Sequence, residues 1–158
     1  VNMLSPLPFQ LVKQMPKAKD FKELDKFIKE KLGKALNTNV AKTGRETMKE
    51  KIEDKVYGVY EPTMYVRLMD DGGLTDDENI ITTMVNETTL SIESHRMDGD
   101  KNVSEVIVSG QGYDYEFPYN GRPRDFVEAT KEELKDTNAH VASLYKGLKA
   151  QGLTLKVK

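Results

Sequence analysis

The chain has 158 residues, 32% of them charged, with 24 Lys and Arg against 26 Asp and Glu and no cysteine. That length predicts one domain burying roughly two-thirds of its unfolded surface. The near-neutral balance excludes the global basic field that steers nucleic-acid binders to phosphate, and the missing thiols exclude disulfides, iron–sulfur clusters, thiolate zinc sites and cysteine nucleophiles, as fits a protein made in a reducing cytosol.

Residues 1–18, within "VNMLSPLPFQLVKQMPKAKD", hold apolar side chains without helical period and three prolines, Pro6, Pro8 and Pro16. Each proline removes a donor and restricts its predecessor, so an extended arm is expected, with Leu7 and Phe9 lying on the chain's own domain or on a neighbour. From Asp20, in the N-cap role, Phe21, Leu24, Phe27/Ile28, Leu32 and Leu36 fall on one helical face. Asn37-Thr38-Asn39 interrupts the pattern, which resumes through Val40, Gly44, Met48, Ile52 and Val56, giving two helices or one long kinked one before Pro62.

"TMYVRLM" alternates as a strand does; "IITTMV" and "TTLSIESHRM" are β-branched runs around Asn86-Glu87; "VSEVIVSGQGYDYEF" reads as a further strand region. A last helix starts at Asp125, carries Phe126, Leu134, Val141, Leu144 and Leu148 on one face and stops at Gly152. The expected fold class is α+β. It comprises N-terminal helices, a small antiparallel sheet of three to four strands and a long C-terminal helix packed on that sheet. One domain spans residues 19–158.

The lone histidines His95 and His140 lack metal-ligand spacing, and no Walker, nucleophile-elbow or EF-hand pattern is present. No cofactor and no metal are expected. The acidic tract with Asp70, Asp71, Asp76 and Asp77 reads as a loop facing solvent or a partner. Arg122 and Arg124 beside Tyr113, Tyr115 and Tyr119 form the best candidate interface, because arginine and tyrosine carry interface energy. There the arginines are expected to project from the turn. No apolar run reaches ~18 residues, so no membrane span is expected.

Two stretches carry a resemblance that covers roughly residues 20–155. The first holds Val56, Tyr57, Tyr60, Pro62, Tyr65 and Arg67; the second holds Pro123, Arg124, Phe126, Thr130, Glu133 and Leu134. Together they resemble the neck and tail-completion proteins of tailed bacteriophages. Many members of that group follow the tyrosine stretch with Arg-Thr-Gly-x-Leu, where this chain has "RLMDDGGL" from Arg67 to Leu74. The resemblance implies a non-enzymatic virion protein, assembled in the host bacterial cytoplasm. It implies a homo-oligomeric ring, sixfold in expectation, that completes the tail tube and joins it to the head connector or stopper, with DNA passing through the lumen unread. Its neighbours would be the major tail tube protein and the connector. The alternative is a small non-enzymatic binding or regulatory module.

Overall fold

The computed structural model describes residues 18–154 and 156, so Leu7 and Phe9 of the arm lie outside the described residues. Asp20 starts the first helix by accepting from the Glu23 N–H at 2.9 Å, and Lys19 N–H donates back to the Glu23 carboxylate at 2.8 Å. Helix α1 (Phe21–Ala35) passes through a π turn (Leu36–Val40) into α2 (Ala41–Ile52), which runs into a second π turn (Glu53–Tyr57). The junctions keep helical dihedrals: −61°/−52° at Leu36, −57°/−44° at Ala41 and −58°/−49° at Glu53. Residues 21–57 therefore form one continuous helix, about 55 Å long at the usual rise. Asn37-Thr38-Asn39 does not end it. The turn absorbs an extra residue and rotates the apolar face, while the Thr38 hydroxyl bonds back to the Lys34 carbonyl at 2.7 Å.

Strands β1 (Ile80–Asn86) and β2 (Thr89–Ser94) form an antiparallel hairpin with Ile80 opposite Ser94 and Met84 opposite Leu90. The hairpin lies along the long helix. Arg45 donates to the Thr82 hydroxyl at 3.0 Å, and at Gly44 the approach is so close that a Cβ would fall 2.0 Å from Ile92 Cδ1. Strands β3 (Met97–Asp98) and β4 (Lys101–Asn102) make a second, separate ribbon. The four strands thus pair as two ribbons rather than as one sheet.

The segment expected as a further strand, "VSEVIVS", is helix α3 (Val103–Ser109). Asn102 caps it by accepting from Glu105 N–H, and Gly110 ends it at φ 71°. The ends outweigh β-branched propensity, because the cap and stop satisfy orphan donors and carbonyls that a partnerless strand would leave open. "TMYVRLM" pairs with no strand among the described residues and is loop. The C-terminal helix is two: α4 (Phe126–Thr137), capped by Asp125, and α5 (Ala139–Ala150), separated by Asn138 at φ 53°. Both pack chiefly on the long helix rather than on a sheet. Lys51 pairs with Glu133 at 2.9 Å, and Gln151 donates to the Lys31 carbonyl at 2.8 Å.

The core gathers toward one end of the long helix, where Met48, Ile52, Val56 and Tyr57 meet Leu74, Ile80, Ile107 and Phe126. At the other end the first turns of α1 overhang. Phe21 is 89% exposed and Ile28 48%, so the apolar face expected from residue 21 onward is covered only in its later part.

Candidate functional site

The core end of the long helix opens onto a cluster of arginines and aromatic rings. Gly58 ends the helix, and the chain turns back so that Arg67 reaches the helix terminus. Its guanidinium donates to the Tyr57 carbonyl at 2.8 Å and to the Tyr60 carbonyl, and it lies over both rings, 4.8 Å from the Tyr60 centroid. A cation satisfying the last carbonyls of a helix is favoured by hydrogen bonding and by the helix dipole together. The second contribution comes from "YDYEFPY" after α3. There Tyr113, Tyr115, Phe117 and Tyr119 stand at every second position and turn their rings to one another, with Phe117 4.9 Å from Tyr113 and 5.3 Å from Tyr60 between centroids. The alternation expected of a strand is real, but it builds an aromatic ridge instead of pairing with a neighbour. The Tyr119 hydroxyl donates to the Val59 carbonyl at 3.0 Å, tying the ridge to the end of the long helix.

Arg124 fills the space between the two parts. It is 6% exposed. Its guanidinium sits 4.6 Å from the Tyr119 centroid, 5.5 Å from Phe117 and 5.6 Å from Tyr60, and donates to the Tyr113 hydroxyl at 2.8 Å. No carboxylate among the described residues pairs with it, and its Nε and Nη1 have no hydrogen-bond acceptor. The positive charge is held by ring faces, an arrangement that gains strength where water is excluded. Tyr60 is thus flanked by two guanidiniums, one from each of the stretches singled out in the sequence.

The turn itself is locked from below. Gly110 packs so tightly on it that a Cβ would lie 2.6 Å from the Arg122 carbonyl carbon, and the Gly121 N–H donates to the Gly110 carbonyl at 2.6 Å. Gly110 is needed for its left-handed φ and for this close approach. Arg122, two residues before Arg124, is exposed. The expected pair of projecting arginines therefore separates: Arg122 faces out, while Arg124 is a buried strut of its own domain.

The acidic tract also divides. Asp76 accepts from Glu78 N–H at 2.8 Å and Gly72 N–H at 2.6 Å, and these backbone bonds, the Glu78 one foremost, hold its carboxyl below the usual range. Asp77 pairs with Lys49 at 3.0 Å. Asp70 and Asp71 remain exposed with no cation partner among the described residues. Tyr113 belongs to the cluster interior, Tyr119 to its base, and Tyr115, 57% exposed, to its rim. Phe117, Tyr57 and Arg67 were not foreseen as members. Their signal was the odd-position aromatic run and the Tyr57-to-Arg67 spacing of one helix end.

Beside this cluster the chain 59–69 presents apolar side chains to solvent: Met64 is 95% exposed, Val66 89% and Leu68 52%. Behind Val66 and Leu68 lies a cleft of about 370 Å³ that reaches Leu74 and Ile107 of the core. The Tyr65 hydroxyl is paired with that of Tyr60, and burial, then that hydrogen bond, pushes Tyr65 up to about 12. A phenol so placed stays protonated near neutrality. Among the described residues, no cluster of His, Asp and Glu is arranged to hold a metal ion. No described helix is long and apolar enough to cross a membrane.

Comparison with known proteins places the chain. The YomN family model matches residues 20–150. The SPbeta prophage-derived protein YomN of Bacillus subtilis (strain 168) is 37% identical over 120 residues, covering 74% of this chain and 81% of that protein. No solved structure matches. The matched span contains the long helix, both ribbons and the whole arginine–aromatic cluster, and the chain belongs to the YomN family, a phage-associated family.

Proposed function

We propose that the chain is a structural subunit of a phage particle, one copy of a ring at the neck that completes the tail tube and joins it to the head connector. The observation that carries this reading is the contact of Tyr60 with Arg124. The two stretches that resemble neck and tail-completion proteins are far apart in sequence, yet they close on each other as a single packed unit. A motif pair that merely decorated separate surfaces would have no reason to meet. Kinship with a prophage-derived protein supports the phage origin that this reading requires.

The chemistry of the site agrees with assembly. Its two caged guanidiniums hold backbone and rings in place, and its exposed members are methionine, valine, leucine and tyrosine, residues that carry contact energy. A ring around a DNA channel needs shape and subunit contacts, and a near-neutral net charge lets DNA pass without being held.

Interrupting the gene in an inducible prophage that carries it tests this directly. Electron microscopy of the induced lysate should show filled heads and separate tails, with joining restored by the gene supplied in trans. Normal yields of joined, infectious particles without the protein would overturn the proposal.

A further inference from the structure

The turn beyond the Tyr57 end is apolar and acidic at once. Val66, Leu68 and Met69 are exposed, and Asp70 and Asp71, which follow them, are exposed carboxylates without a cation partner among the described residues. The cations behind the turn, Arg67 and Arg96, donate to the carbonyls of Tyr57, Tyr60 and Gly72, so the exposed charge of the turn itself is that of the carboxylates. The turn is also held in one shape. Asp71 N–H donates to the Leu68 carbonyl at 2.9 Å, Met69 sits at φ 49°, and a Cβ on Gly73 would fall 2.4 Å from the Met69 nitrogen. A left-handed φ at a side-chain-bearing residue persists only where its surroundings enforce it.

A groove of about 610 Å³ between the long helix, β2 and α4 has the opposite character. Val40, Met48, Leu90, Ile92, Val127 and Leu134 make its floor, and the charged side chains lining it are Lys131 and Lys135, with His140 beside them and no carboxylate. Lys131 meets only Glu128 of its own helix, at 3.1 Å, and Lys135 has no acidic partner among the described residues. Turn and groove are complementary in polarity and in sign of charge. The bare start of α1 is a poorer match. There Asp20 and Glu23 are engaged by backbone N–H groups, Asp25 is paired with Lys29 at 2.8 Å, and Lys22 and Lys26 are exposed beside Phe21 and Leu24.

Within one chain the two surfaces stay apart. Arg67 fixes one side of the turn to the end of the long helix, and Asp76 and Arg96 fix Gly72 on the other. Met48 and Val40 lie about 13 and 26 Å back along that helix from Tyr57. A turn pinned at both sides fills a groove only on another copy.

We propose that the turn 68–71 of one copy docks into the groove between β2 and α4 of the next, with Leu68 and Met69 on its apolar floor and Asp70 and Asp71 against Lys131 and Lys135. The contact is head-to-tail, joining unlike surfaces, so it repeats from copy to copy and closes into a ring where the rotation between copies allows. It rests on the reading of the chain as an assembling subunit and specifies how that assembly is made.

The absence of native cysteine makes disulfide capture clean. Full-length Val66→Cys and Val127→Cys chains, tagged to differ in mass, mixed and mildly oxidised, should give a mixed disulfide dimer several-fold above the yield from Val66→Cys with Val85→Cys, an exposed control on β1. The yield should fall as salt is raised. It should fall several-fold when Asp70→Lys and Asp71→Lys are added to the first chain, and recover when Lys131→Glu and Lys135→Glu are added to the second. Asp70→Asn with Asp71→Asn, a milder change at the same exposed positions, should give an intermediate yield. A yield no higher than the control overturns the docking, and so does a charge swap that restores nothing. A Val66→Cys/Val127→Cys chain that closes on itself at high dilution also overturns it, because the two surfaces would then meet within one copy. The neck reading is tested separately by particle joining. Captured dimer with normal joining in the gene-interrupted lysate would leave the docking standing and remove the neck role; lost joining with no capture would do the reverse.

Discussion

The two ends of the long helix differ in what their side chains touch. At the Tyr57 end, carbonyls are met by Arg67, rings by Arg124, and the core by Phe126, so the chain supplies its own partners. At the Phe21 end, a capped helix overhangs into solvent with its apolar stripe bare. The same helix therefore divides into a part whose interactions stabilise the fold and a part whose interactions are left for something else. Substitutions at the first should cost folding energy; those at exposed positions should change association alone.

The largest effect belongs to Phe126. It is fully buried among Met48, Ile52 and Ile107, and Phe126→Ala should cost about 3–5 kcal/mol in urea unfolding through the cavity it leaves. Arg124→Ala comes next, at about 2–3 kcal/mol, from lost ring contacts in a water-poor site and a Tyr113 hydroxyl left without its donor. Arg124→Lys should recover less than half of that, because an ammonium cannot stack its plane on the rings. Gly110→Ala should cost about 1–3 kcal/mol, combining a left-handed φ with a collision against the Arg122 backbone.

A smaller effect should follow pH. Tyr65 ionises near 12 in the folded chain and near 10 when unfolded, so its contribution to stability is fully present below pH ~10 and lost as pH rises toward 12. Between those values the folded state holds the extra proton. Stability therefore falls with rising pH, and Tyr65→Phe should flatten that fall; phenolate absorbance followed alongside unfolding checks both. The smallest effect is Arg122→Ala, within about 0.5 kcal/mol of the parent, since an exposed side chain is being shortened. A loss of stability equal to that of Arg124→Ala would erase the distinction between the two arginines.

Much of this architecture was legible in the sequence where a local chemical rule stood alone. Asp20 and Asp125 announced helix starts because a short acceptor before an apolar run meets orphan donors, and the two β-branched runs around Asn86 announced a hairpin. Residues 103–109 misled because their Val and Ile content favours a strand, whereas the deciding signals were the Asn102 cap and Gly110. At Asn37-Thr38-Asn39 the sequence left two helices or one long kinked one open, because a π turn shifts the hydrophobic phase, and the structure takes the second course. Arg124 was found but its placement was not. An arginine in a turn reads as exposed, and only the convergence of Tyr60, Phe117 and Tyr119 from distant segments reveals a cage.

The most direct test of the contrast between the ends compares the mass and melting temperature of the full chain with those of a chain starting at residue 18. The account predicts that the full chain populates one closed oligomer as concentration rises and that the shortened chain keeps the same monomer-state melting temperature. A full chain that stays monomeric, paired with a shortened one that melts far lower, would contradict it, because the arm would then be packing on its own domain.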